Sequence, residues 1–192
     1  MYSQHDEDEW INKYMGSMPT GLYMDVGAGW FDHLSNTYML YKKGWRGLAV
    51  EPWEGYHADW EKYRPRDILV KEAISDKPGL VSMASTIMNG SWLYAVHLTE
   101  GDATRMVQAI TFAELLNVHP EFFNTDFLNL DVEMAEDKVL STVDFTKFKP
   151  KWMIIEKVVR DQDNRKNWEH LFISHYKLVE ENIGNVMYQR TD

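Results

Sequence analysis

The sequence contains no cysteine. That excludes disulfides, thiolate catalysis and cysteine-ligated zinc. It has no apolar run near the roughly 20 residues that a membrane span needs. Its first residues lack the basic-then-apolar pattern of a secretory signal. A cytoplasmic setting without a membrane partner is the expectation these absences leave. Basic residues are scarce: 20 Lys and Arg against 30 Asp and Glu, a net charge of −10. A nucleic-acid surface needs clustered Lys and Arg. The longest charge run here is acidic, Asp6 to Glu9, so no nucleic-acid partner is expected. No repeat, low-complexity tract or linker divides the chain.

What is present is the balance of one folded domain over residues 1–192: 44% hydrophobic, 26% charged and rich in aromatics. Residues 1–19 read as an N-terminal helical extension, with a helix over 3–15 whose Trp10, Ile11, Tyr14 and Met15 share a face. An alternation follows. Leu22 to Val26, Leu48 to Val50 and Ile68 to Val70 are short apolar runs that read as buried strands. Between them, Leu34, Tyr38 and Tyr41, then Trp53, Tyr56, Trp60 and Tyr63, recur at helical spacing. Strand, helix, strand, helix, strand predicts a parallel sheet covered on both faces. The stretch 79–108, rich in Ser, Met, Gly and Thr, reads as an irregular or hairpin-like insertion on the substrate side. Thr111 and Glu114 have capping-box spacing. Phe127 to Leu130 and Trp152 to Ile155 are further strands, with a helix carrying Ala135, Val139 and Leu140 between them. Trp168, Leu171 and Phe172 mark a last helix. Tyr176 to Val179 and Val186 to Tyr188 are too close for a helical crossover and should pair antiparallel. The expected fold is therefore α/β and Rossmann-like, of the class I methyltransferase outline rather than that of a dehydrogenase. Its sheet should be mostly parallel and seven-stranded, with an antiparallel C-terminal strand and helices on both faces.

Three places could carry chemistry. Asp25-Val26-Gly27-Ala28-Gly29 ends the first strand, where ligands of open α/β sheets bind. Its glycines let backbone approach a ligand closely, and Asp25 can accept hydrogen bonds from an ammonium group or from loop amides. Asp32 stands where a dinucleotide fingerprint has its third glycine. Glu51 ends the second strand, just before Pro52, where an acid can accept both hydroxyls of a ribose. Asp131-Val132-Glu133 closes the strand at Leu130. Extended alternation would put both acids on one side, where they could bind a cation, orient an amine or act as base. Spacing shows no third ligand, so no metal site is expected.

These residues resemble the FkbM-type methyltransferases. The matching stretches are Asp25 to Gly29, Lys43 to Pro52, Thr111 to Leu116, Asp126 to Glu133, Ile154 to Glu156 and Gly184 to Tyr188, spanning roughly residues 20–190. The resemblance implies methylation by S-adenosyl-L-methionine (SAM), commonly of a hydroxyl oxygen on a small-molecule or saccharide acceptor. It further implies that Asp25, Gly27, Ala28 and Gly29 hold the methionine end, that Glu51 and Pro52 lie at the ribose, and that Glu72 and Ala73 border the adenine. Asp131 is the favoured base, with Glu133, His33 and His97 as other candidates. The chain departs from the family at Phe31 and Met134, where glycine is frequent, and at Asn129, where lysine is frequent. Two other readings are a nucleotide-binding oxidoreductase and a non-catalytic SAM-binding or scaffold protein.

Overall fold

The computed structural model describes residues 1–88, 91–96, 103–133, 135–159 and 162–192. The chain opens with α1 (Glu7–Met15) and then alternates β1 (Leu22–Val26), α2 (Tyr38–Lys42), β2 (Arg46–Val50), α3 (Glu54–Tyr63) and β3 (Ile68–Val70). A second block follows: β4 (Ala73–Ile74), β5 (Gly79–Met88), β6 (Ser91–Val96) and β7 (Ala103–Ile110). The remainder is α4 (Phe112–Val118), β8 (Phe127–Leu130), α5 (Glu136–Ser141), β9 (Trp152–Glu156), a small ladder of β10 (Val158–Val159) with β11 (Gln162–Asp163), then β12 (Tyr176–Glu181) and β13 (Asn185–Arg190).

The main sheet has seven strands in the order β12-β13-β9-β8-β1-β2-β3. β3, β2, β1, β8 and β9 run parallel. β13 is antiparallel to both of its neighbours, β9 and β12. The alternation of side chains along each strand divides the core in two. Met24 and Val26 of β1, Leu128 and Leu130 of β8, and Met153 and Ile155 of β9 face one way, onto Phe112, Leu115 and Leu116 of α4 and Val139 and Leu140 of α5. Tyr23, Phe127, Ile154 and Met187 face the other way, onto Ile11 and Met15 of α1 and Leu40 and Tyr41 of α2. Both faces are thus covered, which is why these strands read as nearly continuous apolar runs.

Three readings change and a fourth narrows. The first helix begins at Glu7, not at residue 3. The second is only Tyr38–Lys42; Leu34 is exposed with φ of 53°, because residues 27–37 are spent on a loop wrapped over the end of β1. Of the two readings of 79–108, the described residues follow the hairpin-like one. The stretch supplies β5, β6 and most of β7, which with β4 form a second sheet in the order β4-β7-β5-β6. Outward-facing Leu80 and Met106 are exposed, so the inside-outside alternation there never shows as apolar against polar. The last helix is absent: short 3₁₀ turns over Arg165–Asn167 and Glu169–Leu171 stand in its place. Trp168 and Phe172 still stack, 6.0 Å apart, on the same core. Spacing of four residues puts both rings inside whether the chain is a helix or a pair of turns. The capping box forms as expected, with Glu114 N–H donating to Thr111 Oγ1 (3.1 Å) and Thr111 N–H to Glu114 Oε2 (2.8 Å).

Candidate active site

The carboxyl ends of β1, β2, β8 and β9 place every candidate loop on one edge of the sheet. Gly27 and Ala28 both donate their N–H groups to Val50 O at 3.0 Å, which ties the first loop to β2. Gly27 has φ of 82°, and a Cβ there would lie 1.6 Å from Asp131 O. Only glycine satisfies both the dihedral and the close approach of the β8 exit. Gly29 donates to Glu51 Oε2 and Trp53 N–H donates to Glu51 Oε1, each at 2.7 Å. Trp60 Nε1–H donates to Gly29 O at 2.8 Å, so the loop is held from α3 as well. Glu51 is only 6% exposed, and burial pushes its carboxyl up to about 7.

Asp25 is buried, and side chains of the protein engage both of its oxygens. Thr37 Oγ1–H donates to Oδ2, and Asn129 Nδ2–H donates to Oδ1 at 2.9 Å. Asn36 Nδ2–H in turn donates to Asn129 Oδ1 at 2.9 Å. Arg64 Nη2–H reaches Thr37 Oγ1 at 3.0 Å. Burial raises the Asp25 carboxyl, opposed by the Arg64 charge and these donors. Asp25 thus organises the loop from beneath. Sequence reading missed Ser35, Asn36, Thr37 and Arg64. Their polarity resembles an ordinary loop and helix end, and only their burial marks them.

Asp131 continues the β8 ladder by one bond, its N–H donating to Val26 O at 2.9 Å. Glu133 does not follow by extended alternation: β8 ends at Leu130, and Glu133 sits in the left-handed region with φ of 52°. The turn nevertheless brings the two acids together, and a third joins them. One carboxylate oxygen from each of Asp131, Glu133 and Glu156 lies within 4.8 Å of the other two. Spacing did not show this third acid, because Glu156 is remote in sequence and adjacent in space. The register joins them: β8 and β9 are parallel with Leu130 opposite Ile155, and an acid follows each of these two residues. Glu136, also buried, accepts from Val132 N–H at 3.1 Å. Burial raises all four and neighbouring carboxylates add to it: Glu136 goes up to about 7, and Asp131, Glu133 and Glu156 move in the same direction, offset in part at Asp131 by a hydrogen bond with Glu156.

The other expected residues are more dispersed. Pro52 and Glu72 are half-buried, and Ala73 is buried in β4 opposite Ala109. His33 is exposed. Its ring meets Trp30 edge-on at 5.6 Å, in an aromatic patch that continues to Tyr56. His97 and Met134 lie outside the described residues.

No protein-family model and no curated protein sequence matches the chain. Solved structures do. The 1,6-didemethyltoxoflavin-N1-methyltransferase of Burkholderia thailandensis, crystallised with 1,6-didemethyltoxoflavin and S-adenosylhomocysteine, superposes with a TM-score of 0.52 at 12% identity, over 97% of this chain and 77% of that one. A Haemophilus influenzae protein assigned to the methylases superposes with a TM-score of 0.51 at 9% identity, over 98% of this chain and 90% of that one. Together with the strand order, these likenesses give the chain the class I methyltransferase fold.

Proposed function

We propose that this chain is a SAM-dependent methyltransferase of the FkbM type that methylates a hydroxyl oxygen of a small-molecule or saccharide acceptor. The observation that carries the reading is Glu51, a buried carboxylate at the end of β2, bonded to the glycine loop on the ligand-binding edge of a methyltransferase-type sheet. The bound S-adenosylhomocysteine of the Burkholderia enzyme supports it by fold analogy.

The residues present fit the group. Each Glu51 oxygen accepts one N–H and keeps a lone pair for a ribose hydroxyl. At Gly29, no atom stands within 4 Å of where a Cβ would be, so space adjoins the loop. Gly27, Ala28 and Gly29, braced by Asp25, would hold the methionine end; Pro52, Glu72 and Ala73 would flank the nucleoside. When bound, SAM supplies an electrophilic methyl carbon. The protein's part is to align the acceptor oxygen with it, which can carry several kcal/mol of the barrier. Asp131 takes the hydroxyl proton, with Glu133 beside it, and its raised proton affinity suits a base. His33, exposed at the loop rim, would act at most on the acceptor's outer part.

Isothermal titration with SAM, S-adenosylhomocysteine and NAD tests the reading; binding of NAD alone would overturn it. Glu51→Ala should weaken SAM binding by about 1.5–3 kcal/mol, the worth of hydrogen bonds to a charged group. The ribose hydroxyls favour the ionised carboxylate. Affinity should therefore be full above pH 7, fall as pH drops through about 7, and lose that dependence in Glu51→Ala. Unchanged affinity in the folded variant would remove Glu51 from the ribose.

A further inference from the structure

We propose that Asp131, Glu133 and Glu156 bind one divalent cation of the Mg²⁺, Mn²⁺ or Ca²⁺ type at the exits of β8 and β9, and that this ion holds the acceptor through oxygen.

The cluster is not a solvated acidic patch. Asp131 and Glu156 are half-buried as whole residues, yet Asp131 Oδ1 and Glu156 Oε2 are sealed from solvent, and the side-chain partner each carboxyl has is the other. A buried, unpaired carboxylate oxygen is costly unless a proton or a cation meets it. Among the described residues, no Lys, Arg or His forms an ion pair with Asp131, Glu133, Glu136 or Glu156. Lys157, the next residue after Glu156, is committed to Glu181. Ionised carboxylates only accept, so the orphaned oxygens can only be met by a proton or a positive ion.

The spacing suits an ion. Two oxygens on opposite sides of Ca²⁺ at about 2.4 Å stand about 4.8 Å apart, and those around Mg²⁺ at about 2.1 Å stand closer. One oxygen from each of the three carboxylates lies within 4.8 Å of the other two, so one ion reaches all three with little movement. An all-oxygen donor set selects hard cations over Zn²⁺ or Cu²⁺. Three protein oxygens leave coordination positions open. On the methyltransferase reading, on which only this last step rests, those positions take the acceptor. They favour one with two neighbouring oxygens, a vicinal diol or a hydroxy acid, over an isolated alcohol.

The test is titration of chelator-treated, full-length protein with MnCl₂, followed by calorimetry and by the paramagnetic resonance of free Mn²⁺, and separately with SAM. We expect one Mn²⁺ per chain, displaced by Mg²⁺ or Ca²⁺. Glu156→Gln and Glu133→Gln should each weaken it beyond the roughly 10–100-fold that outer-shell losses cost, with SAM affinity unchanged. Glu156→Gln lowers like-charge repulsion and should fold; should it not, Glu133, half-buried in a turn outside any strand or helix, gives the second variant. No binding of Mn²⁺, Mg²⁺ or Ca²⁺ at millimolar concentration, or Mn²⁺ binding undiminished in both variants, overturns the site. SAM binding without cation binding leaves the methyltransferase reading standing and removes the ion. Cation binding without SAM binding does the reverse.

Discussion

Asp131→Asn should leave SAM affinity almost unchanged and cut methyl transfer by about 10²–10⁴-fold, the range for loss of a positioned general base. The substitution keeps shape and removes charge. The Asp131 N–H bond to Val26 O is a main-chain bond and survives, so β8 keeps its exit direction. Glu51 and its donor Trp53 follow β2, its other donor Gly29 lies in the glycine loop, and none involves the Asp131 side chain. Stability separates this role from a bland one. Were Asp131 present only to favour a helix N-terminus, the variant should lose about 0.3–1 kcal/mol and keep its rate. The first turn of α5 already carries Glu136 and Asp137, however, and Asp131 faces Glu133 and Glu156 instead. Removing one of several crowded carboxylates should raise stability at pH 8, the opposite sign. Turnover falls equally whether Asp131 accepts the proton or helps hold an ion, and chelation tells the two apart. The assay is release of S-adenosylhomocysteine over a panel of hydroxylated acceptors. Full activity in Asp131→Asn on the acceptor that the native protein uses would strike the residue from the catalytic list.

The parallel part of the sheet was legible because its strands are buried on both faces. Leu22 to Val26, Leu48 to Val50 and Phe127 to Leu130 are apolar but for Asp25 and Asn129, and that pattern has few readings. The antiparallel end was legible from a linker too short for a crossover, and β12 and β13 do pair so. Local rules failed where long-range packing decides. The second sheet exposes Leu80 and Met106, which blurs its period, and Trp168 and Phe172 satisfy a helix and a turn equally. At the candidate site, the glycine loop and Glu51 could be read from chain order alone, because strand end and turn are contiguous. The acid cluster could not: Glu156 joins Asp131 only through the register of two parallel strands. The brace beneath Asp25 was invisible for the same reason, since Asn36 and Thr37, Arg64, and Asn129 come from three separate stretches.

That brace supplies the largest expected loss of stability. Arg64→Met should destabilise the fold by about 3–5 kcal/mol, the cost of breaking a buried ion pair from one side. Arg64 is 1% exposed, and its Nε–H donates to Asp67 Oδ2 at 2.7 Å. Its Nη1–H reaches Phe31 O at 3.1 Å, and its Nη2–H reaches Tyr23 Oη and Thr37 Oγ1. The guanidinium also stacks 4.0 Å from the centre of the Trp60 ring. Methionine keeps the stem and some of that packing but none of the five donors. Asp67 would remain buried with only Tyr23 Oη–H (2.6 Å) and Gly47 N–H (2.8 Å) to meet its charge. The loss should not stay local. Phe31 O and Thr37 are the points where Arg64 grips the 27–37 loop, and Thr37 is what holds Asp25 from that side. Loosening them frees the glycine loop, so SAM affinity should fall along with stability although Arg64 touches no proposed ligand. Urea denaturation measures the first effect and calorimetry on the folded fraction the second. Adding Asp67→Asn to Arg64→Met should recover part of the stability, because the orphaned charge goes with it, but not the SAM affinity, because the grip on the loop does not return. A loss below about 1 kcal/mol in Arg64→Met, or a double variant no more stable than the single, would show that the ion pair does not anchor the loop.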